Sequence, residues 1–529
     1  MKVRRSSRLL VAAAAITVLA TQSASAADLE QVPRPAPAQL KCEALVSLKV
    51  ERTVLDRGET VAAGAFKSLG PALPGPPEDF AKLPEFCRVV GSIHPTGDSD
   101  IGFELWLPVQ GWNGKFLQTG NGAAAGSIYY GTMVDPLTRG YAVANTDTGH
   151  KGAGGDFAWA VGHPERLIDY AYRAVHELTL TARAIIAAGY GQAPARSYFV
   201  GCSTGGRQGL KEAQRYPDDY DAIIAGAPAN NWSRLISLSV LIERNLTGAD
   251  GLSVAKLPLL KEAAIARCDA IDGVTDRVIS EPAKCTFDPA TLQCRDDGSK
   301  QCLSAAEVAA ARRIYRGVVS KTGTTLMPGT GPGSELLWAA YASPQFHIGS
   351  SYLRNVVMHD PNWEPASFDA DRDLPRAEKG DAGTIAAMDP QLGDFITQGG
   401  KLIIFHGTAD GLIPYGSSVS YYRSVVTKLG AKKTDQSVRF YLVPGMDHCG
   451  GGEGAFQIDW LSALENWAEK GQAPGALHAL HPPFVPGPPG VPPPPSKPFT
   501  RPACPYPQVA RYKGTGNTAV AENFTCHAL

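Results

Sequence analysis

One stretch limits the fold more than any other: RSYFVGCSTGGRQGLKEAQRYP, Arg196 to Pro217. Its first part is apolar and aromatic and reads as a strand; the part after Gly205 reads as a helix. Gly201-Cys202-Ser203-Thr204-Gly205 joins them through a sharp, glycine-flanked turn that holds a serine at its apex. YDAIIAGAP, Tyr220 to Pro228, is a second strand. Strand, helix and strand at this spacing describe a parallel sheet covered by helices, because parallel neighbours need a long crossover.

The alternation extends in both directions. From Arg88 to Val143, CRVVGSI, IGFELWLPV, GKFLQTG and GYAVANTD read as short strands broken by turn residues. HPERLIDYAYRAVHELTLTARAIIAAGYG is helical, with Leu167, Ala171, Ala174, Val175 and Leu178 near a 3.6-residue period and Gly189 near its end. GGKLIIFHGTADGLIP, GSSVSYYRSVVTKLG and VRFYLVPGMDHCGGG give a further strand, helix and strand. Between about Ala229 and Leu392 the alternation disappears, so residues 229–395 are expected to form an inserted lid domain between core segments 27–228 and 396–529. Trp338, Tyr341, Tyr352 and Trp363 are candidates for an aromatic wall within it. HPPFVPGPPGVPPPPSKP, His481 to Pro498, is a proline-dense spacer (insert 482–498).

Residues 1–26 read as an export signal: Lys2, Arg4 and Arg5 precede an apolar run from Leu9 to Ala20, and Ala24-Ser25-Ala26 offers small residues for cleavage. A secreted or periplasmic destination suits ten cysteines, because oxidising compartments favour disulfides. Chain proximity pairs Cys268 with Cys285, Cys294 with Cys302, Cys504 with Cys526 and Cys42 with Cys87. Cys202 and Cys449 are left, either bridged or as two buried thiols. A net charge of −1 argues against nucleic acid or an anionic membrane as the main partner and leaves a small-molecule substrate.

Acyl transfer at neutral pH needs a nucleophile, a base, a group that orients the base, and donors for the oxyanion. Ser203 fits the first role. In an α/β-hydrolase the acid and then the base follow the serine along the chain. Asp410, just past a buried strand, and His448, in a glycine-rich loop after the last strand, meet that order. Asp447 competes for the acid but adjoins His448, and His406 lies inside apolar LIIFHG as a core histidine. The oxyanion donors expected are the N–H groups of Thr204 and of Gly122 in FLQTGNGAAAG, with Gly120 next. A bridge from Cys202 to Cys449 would bring Ser203 and His448 together, because disulfides hold Cα atoms within about 7 Å.

Cys202-Ser203, Asp410 and His448-Cys449 together resemble the tannase and feruloyl esterase family of secreted serine esterases, over about Cys42 to Cys526. The resemblance implies an α/β-hydrolase core with an inserted lid, a bridged Cys202–Cys449 pair and hydrolysis of aromatic-acid esters. Hydroxycinnamates come first, with gallate esters or a terephthalate mono-ester as alternatives; Thr204 stands where the mono-ester hydrolase has an acidic residue. A non-catalytic exported binding protein and a peptidase or lipase are the rival classes. CDAIDGVTDRVI supplies Asp269, Asp272 and Asp276 around Gly273, with the Val274 and Val278 carbonyls nearby. The resemblance implies a structural calcium there; the loop alone departs from the EF-hand pattern and also reads as a solvated acidic turn.

Overall fold

The computed structural model describes residues 40–68, 79–152, 154–295, 301–483 and 497–528. The expected signal at 1–26 and most of the proline-dense spacer lie outside them.

Nine strands form one sheet: β1 (Thr53–Val61), β2 (Phe86–Ile93), β3 (Ile101–Pro108), β4 (Lys115–Thr119), β5 (Ala142–Thr146), β6 (Arg196–Cys202), β7 (Ala222–Gly226), β8 (Lys401–Gly407) and β9 (Val438–Val443). Their order is β1-β2-β3-β5-β4-β6-β7-β8-β9. Pairing is antiparallel from β1 to β5 and parallel from there to β9. Successive residues of the central strands face opposite sides, yet both sides are buried. Ile223, Leu402 and Ile404 pack with Leu178, Leu210, Tyr421 and Val425, whereas Ile224, Ile403 and Phe405 pack with Met133, Leu464 and Trp467. Continuous apolar runs such as LIIF are what a parallel strand covered on both faces requires.

The helices that cover the first face are α1 (Ala174–Tyr190), α2 (Thr204–Arg215) and Tyr415–Leu429; Tyr130–Thr138 and Trp460–Lys470 cover the other. α1 ends on Gly191, left-handed at φ +72°. Gly189, read from sequence as near the terminus, is buried inside α1, where an added Cβ would sit 2.9 Å from Leu40.

The chain leaves the sheet after Gly226 and rejoins it at Lys401. The intervening segment carries the helices Trp232–Thr247, Leu257–Cys268, Ala305–Arg316 and Ala370–Asp381. Its apolar residues form one cluster with Phe157 and Tyr170 of the first core segment, and Trp338, Tyr341, Tyr352 and Trp363 are all buried in it. These four aromatics therefore pack where the insert meets the core. The proline-dense spacer joins two paired strands, Leu477–His481 and Phe499–Ala503, so its ends meet in a hairpin.

Five cysteine pairs lie at disulfide distance, with Cα–Cα separations of 5.4 Å (Cys42–Cys87), 6.0 Å (Cys202–Cys449), 5.3 Å (Cys268–Cys285), 5.0 Å (Cys294–Cys302) and 5.7 Å (Cys504–Cys526). Among the described residues no helix is long and apolar enough to cross a membrane.

Candidate active site

Ser203, Asp410 and His448 follow the C-terminal ends of β6, β8 and β9, the edge where open parallel sheets present their sites. Ser203 is half-buried and held at φ 63°, ψ −123°, a conformation that costs a non-glycine residue of order 1–3 kcal/mol. Backbone bonds hold it there: its N–H donates to Gly226 O at 2.9 Å, and its carbonyl accepts from Arg207 and Ala229 at 3.0 Å each. Glycine is required beside it for close approach. A Cβ on Gly201 would lie 2.5 Å from the Gly205 backbone.

The buried Asp410 carboxylate uses both oxygens. Oδ1 accepts the backbone N–H groups of Leu412 and Ile413 at 2.8 and 2.9 Å, and Oδ2 lies 2.7 Å from His448 Nδ1. Burial by itself would raise its pKa; the charge and hydrogen bonds of His448, with His406, outweigh that and hold it well below the usual carboxylate range. His406 contributes because its Nε2 is 3.2 Å from Asp410 Oδ2 and 2.9 Å from Ile413 O. Its apolar setting gave no sequence sign of that contact. Trp338 and Tyr341 of the insert brace the same loop: Tyr341 donates to Leu412 O at 2.7 Å, and a Cβ on Gly411 would crowd Trp338.

The Asp410 and His448 loops also touch backbone to backbone, Ala409 N–H donating to Met446 O at 3.0 Å. The second link is covalent. Cys202–Cys449 flanks the serine on one side and the histidine on the other, and Cys449 also sits at positive φ, 64°. Replacing both cysteines by Ala should lower kcat by about a hundredfold, the loss that roughly 1 Å of looseness produces. By loop entropy it should also remove about 5–6 kcal/mol of stability. Steady-state kinetics and urea titration of the double variant check both; unchanged kcat would remove the positioning role.

The loop Gly120 to Ala123 docks on the turn that holds Ser203. Gly205 N–H donates to Asn121 O at 2.7 Å, Thr204 Oγ1 to Ala123 O at 2.6 Å, and Asn121 N–H to Gln208 Oε1 at 3.0 Å. Gly120 N–H is already committed to Val200 O at 2.9 Å, which removes it as a donor. The Gly122 and Thr204 N–H groups have no intramolecular acceptor among the described residues.

Asp447 does not share His448's hydrogen bond. Burial first, then the charges of Asp410, Glu453 and Glu335, push its carboxyl up to about 7 despite Lys261. A carboxyl raised in the folded state stabilises fully below its unfolded pKa and loses that contribution as pH rises through the folded one. Stability should therefore fall between about pH 4 and 7, and Asp447→Asn should flatten the fall. Urea midpoints at pH 5 and 8 measure this; parallel pH profiles for both proteins would refute it.

α2, which begins at Thr204, is buried almost all round despite its polar sequence. Arg207 donates to Ala171 O at 2.6 Å and Tyr170 O at 3.1 Å, and Lys211 donates to Gly383 O of the insert at 2.8 Å. Core and insert thereby clamp the helix that begins beside Ser203.

In the acidic loop, Gly273 turns at φ +88°. Asp269, Asp272 and Asp276 accept the N–H groups of Asp276, Val274 and Val278 at 3.1, 3.0 and 3.1 Å. Burial first, and facing carboxylates after it, push Asp269 and Asp272 up; Asp276 pairs with Arg501. All-oxygen donors with more negative charge than one arginine offsets suit a hard cation. The three carboxylates are not, however, gathered within 4.8 Å of one another.

A model of the family described as tannase and feruloyl esterase matches residues 87–527. An uncharacterized esterase of Xanthomonas campestris pv. campestris is 34% identical over 93% of this chain and 92% of its own. A probable feruloyl esterase B-2 of Aspergillus terreus is 34% identical over 84% of this chain and 86% of its own. Among solved structures, feruloyl esterase B from Aspergillus oryzae superposes with a TM-score of 0.80 at 28% identity, over 92% of this chain and 99% of that one. Tannin acyl hydrolase from Aspergillus niger gives 0.75 at 23% identity, over 93% and 97%, which speaks for the α/β-hydrolase fold alone.

Proposed function

The chain belongs to the tannase and feruloyl esterase family and is a carboxylic ester hydrolase, and from that premise we propose that it cleaves esters of hydroxycinnamic acids through an acyl-enzyme on Ser203. His448 takes the Ser203 proton as Oγ attacks the ester carbonyl, and Asp410 holds the imidazole with its free nitrogen toward the serine. The Thr204 and Gly122 N–H groups receive the developing oxyanion. His448 then returns the proton to the leaving alcohol; it next takes a proton from the water that attacks the acyl carbonyl and returns it to Ser203 Oγ as the acid is released. The observation that carries this reading is the Asp410–His448 contact of 2.7 Å in a loop tied by disulfide to the residue beside Ser203. The hydroxycinnamate preference rests on relatives named feruloyl esterase B.

Side-by-side kinetics on methyl ferulate, methyl gallate and mono-(2-hydroxyethyl) terephthalate test the substrate. The highest kcat/KM is expected on methyl ferulate; a higher value on either other ester would reassign the acyl group.

Asp269, Asp272 and Asp276, with the carbonyls of Val274 and Val278, would hold the structural calcium. Bound there, the ion would neutralise the loop that Cys268–Cys285 closes. Chelation should lower Tm by several degrees and added Ca2+ restore it, because a ligand bound only by the folded state adds stability. An unchanged Tm after calcium removal, verified by elemental analysis, would discard the site.

Five disulfides and the basic-apolar-small pattern at residues 1–26 support action outside the cytoplasm. Cell fractionation tests this, with the enzyme expected outside the cytoplasmic fraction and intact residues 1–26 inside it as the opposing result.

A further inference from the structure

We infer that His176, Glu212 and Asp219 form a zinc site beneath the nucleophile helix, separate from the acidic loop and from the catalytic residues. The three come from different segments: His176 from the first turn of α1, Glu212 from the last turn of α2, and Asp219 from the turn before β7. One ligand atom of each lies within 4.8 Å of those of the other two, and among the described residues this is the only such trio of His, Cys, Asp or Glu.

The second observation is the state of Glu212. It has no solvent exposure, and neither carboxylate oxygen receives a hydrogen bond from an N–H or hydroxyl donor, the Asp219 carboxyl being its hydrogen-bonding neighbour. Buried carboxylates are normally paired or bound to metal, because desolvation disfavours the bare charge. The cations around it are used elsewhere. Lys211 donates to Gly383 O at 2.8 Å, Arg215 Nε to Tyr216 Oη at 3.2 Å, and Arg183 Nε to Ser197 Oγ at 3.1 Å.

The remaining ligands are already oriented. Tyr216 stacks on the His176 ring with centroids 3.8 Å apart and planes 7° from parallel. His176 Nδ1 is 2.6 Å from Asp219 Oδ2. One imidazole and two carboxylates are a donor set of zinc; calcium takes six to eight oxygens, and magnesium prefers oxygen and water. His176 keeps 23% side-chain exposure, which gives the ion a path in and leaves room for water as a fourth ligand. Binding would replace the His176–Asp219 hydrogen bond by bonds from both side chains to the ion. The ion would tie α1, α2 and the β6–β7 crossover together behind Ser203.

The full chain, stripped of transition metals and kept in excess Ca2+, would be titrated with Zn2+ against a fluorescent zinc chelator. One Zn2+ per chain is expected, with a rise in Tm. His176→Ala, at a partly exposed position, and Glu212→Gln should each weaken binding at least about tenfold, the loss seen even when an outer partner of a metal ligand is removed. Far-UV circular dichroism reports whether each variant has folded; His176→Ala decides if Glu212→Gln has not. No zinc uptake by the wild type, or uptake by folded His176→Ala equal to wild type, overturns the site. So does a wild type whose Tm responds to pH but not to Zn2+, since Glu212 would then simply hold a proton against Asp219.

Discussion

Ser203→Ala should lower kcat on methyl ferulate by about a million-fold, the loss seen when the serine of a comparable triad is removed. The protein should remain folded. No intramolecular hydrogen bond is recorded for Ser203 Oγ among the described residues, and alanine at φ 63° carries the same backbone strain as serine. Residual turnover should exceed the uncatalysed rate by about 10³–10⁴, because the oxyanion donors and the binding surface survive. Turnover within tenfold of wild type, by protein of native circular dichroism and Tm, would end the acyl-enzyme reading.

Asp410→Asn should cost about 10⁴ in kcat, and the structure dictates why. Oδ1 accepts two backbone N–H groups, from Leu412 and Ile413, so in the variant that position must be the amide oxygen. The NH2 group is then forced into the Oδ2 position, 2.7 Å from His448 Nδ1. There it can only donate, which turns Nδ1 into the acceptor and leaves the proton on Nε2. A histidine in that tautomer cannot accept the proton of Ser203. KM should move little, because Asp410 is fully buried. The amide also brings a donor against His406 Nε2, whose other partner is Ile413 O. A kcat within about tenfold of wild type would show that Asp410 orients nothing; a loss seen mainly in KM would assign it to binding instead.

Chain-local features were readable before any coordinates. LIIF and AIIAG had to be central strands, since nothing in them could face water. Gly201 to Gly205 had to be a tight turn into a helix, and the order Ser203, Asp410, His448 followed from where strands end. Reading failed where meaning depended on distant neighbours. His406 looked like a core residue and is one, but it also touches the acid. Four aromatics in the insert gave no sign along the chain that they would share a cluster with Phe157 and Tyr170 of the core.

Spacing and polarity along the chain were enough to indicate the layered fold and to single out Ser203, Asp410 and His448 as candidates, because strand, turn and helix preferences act over a few neighbours. Folding alone settled which oxyanion glycine keeps a free N–H, which carboxyl faces His448, and how Arg207, Lys211 and Glu212 came to lie in the interior. Those outcomes depend on desolvation and on backbone carbonyls brought from segments up to hundreds of residues away, and no local pattern records which carbonyl will arrive.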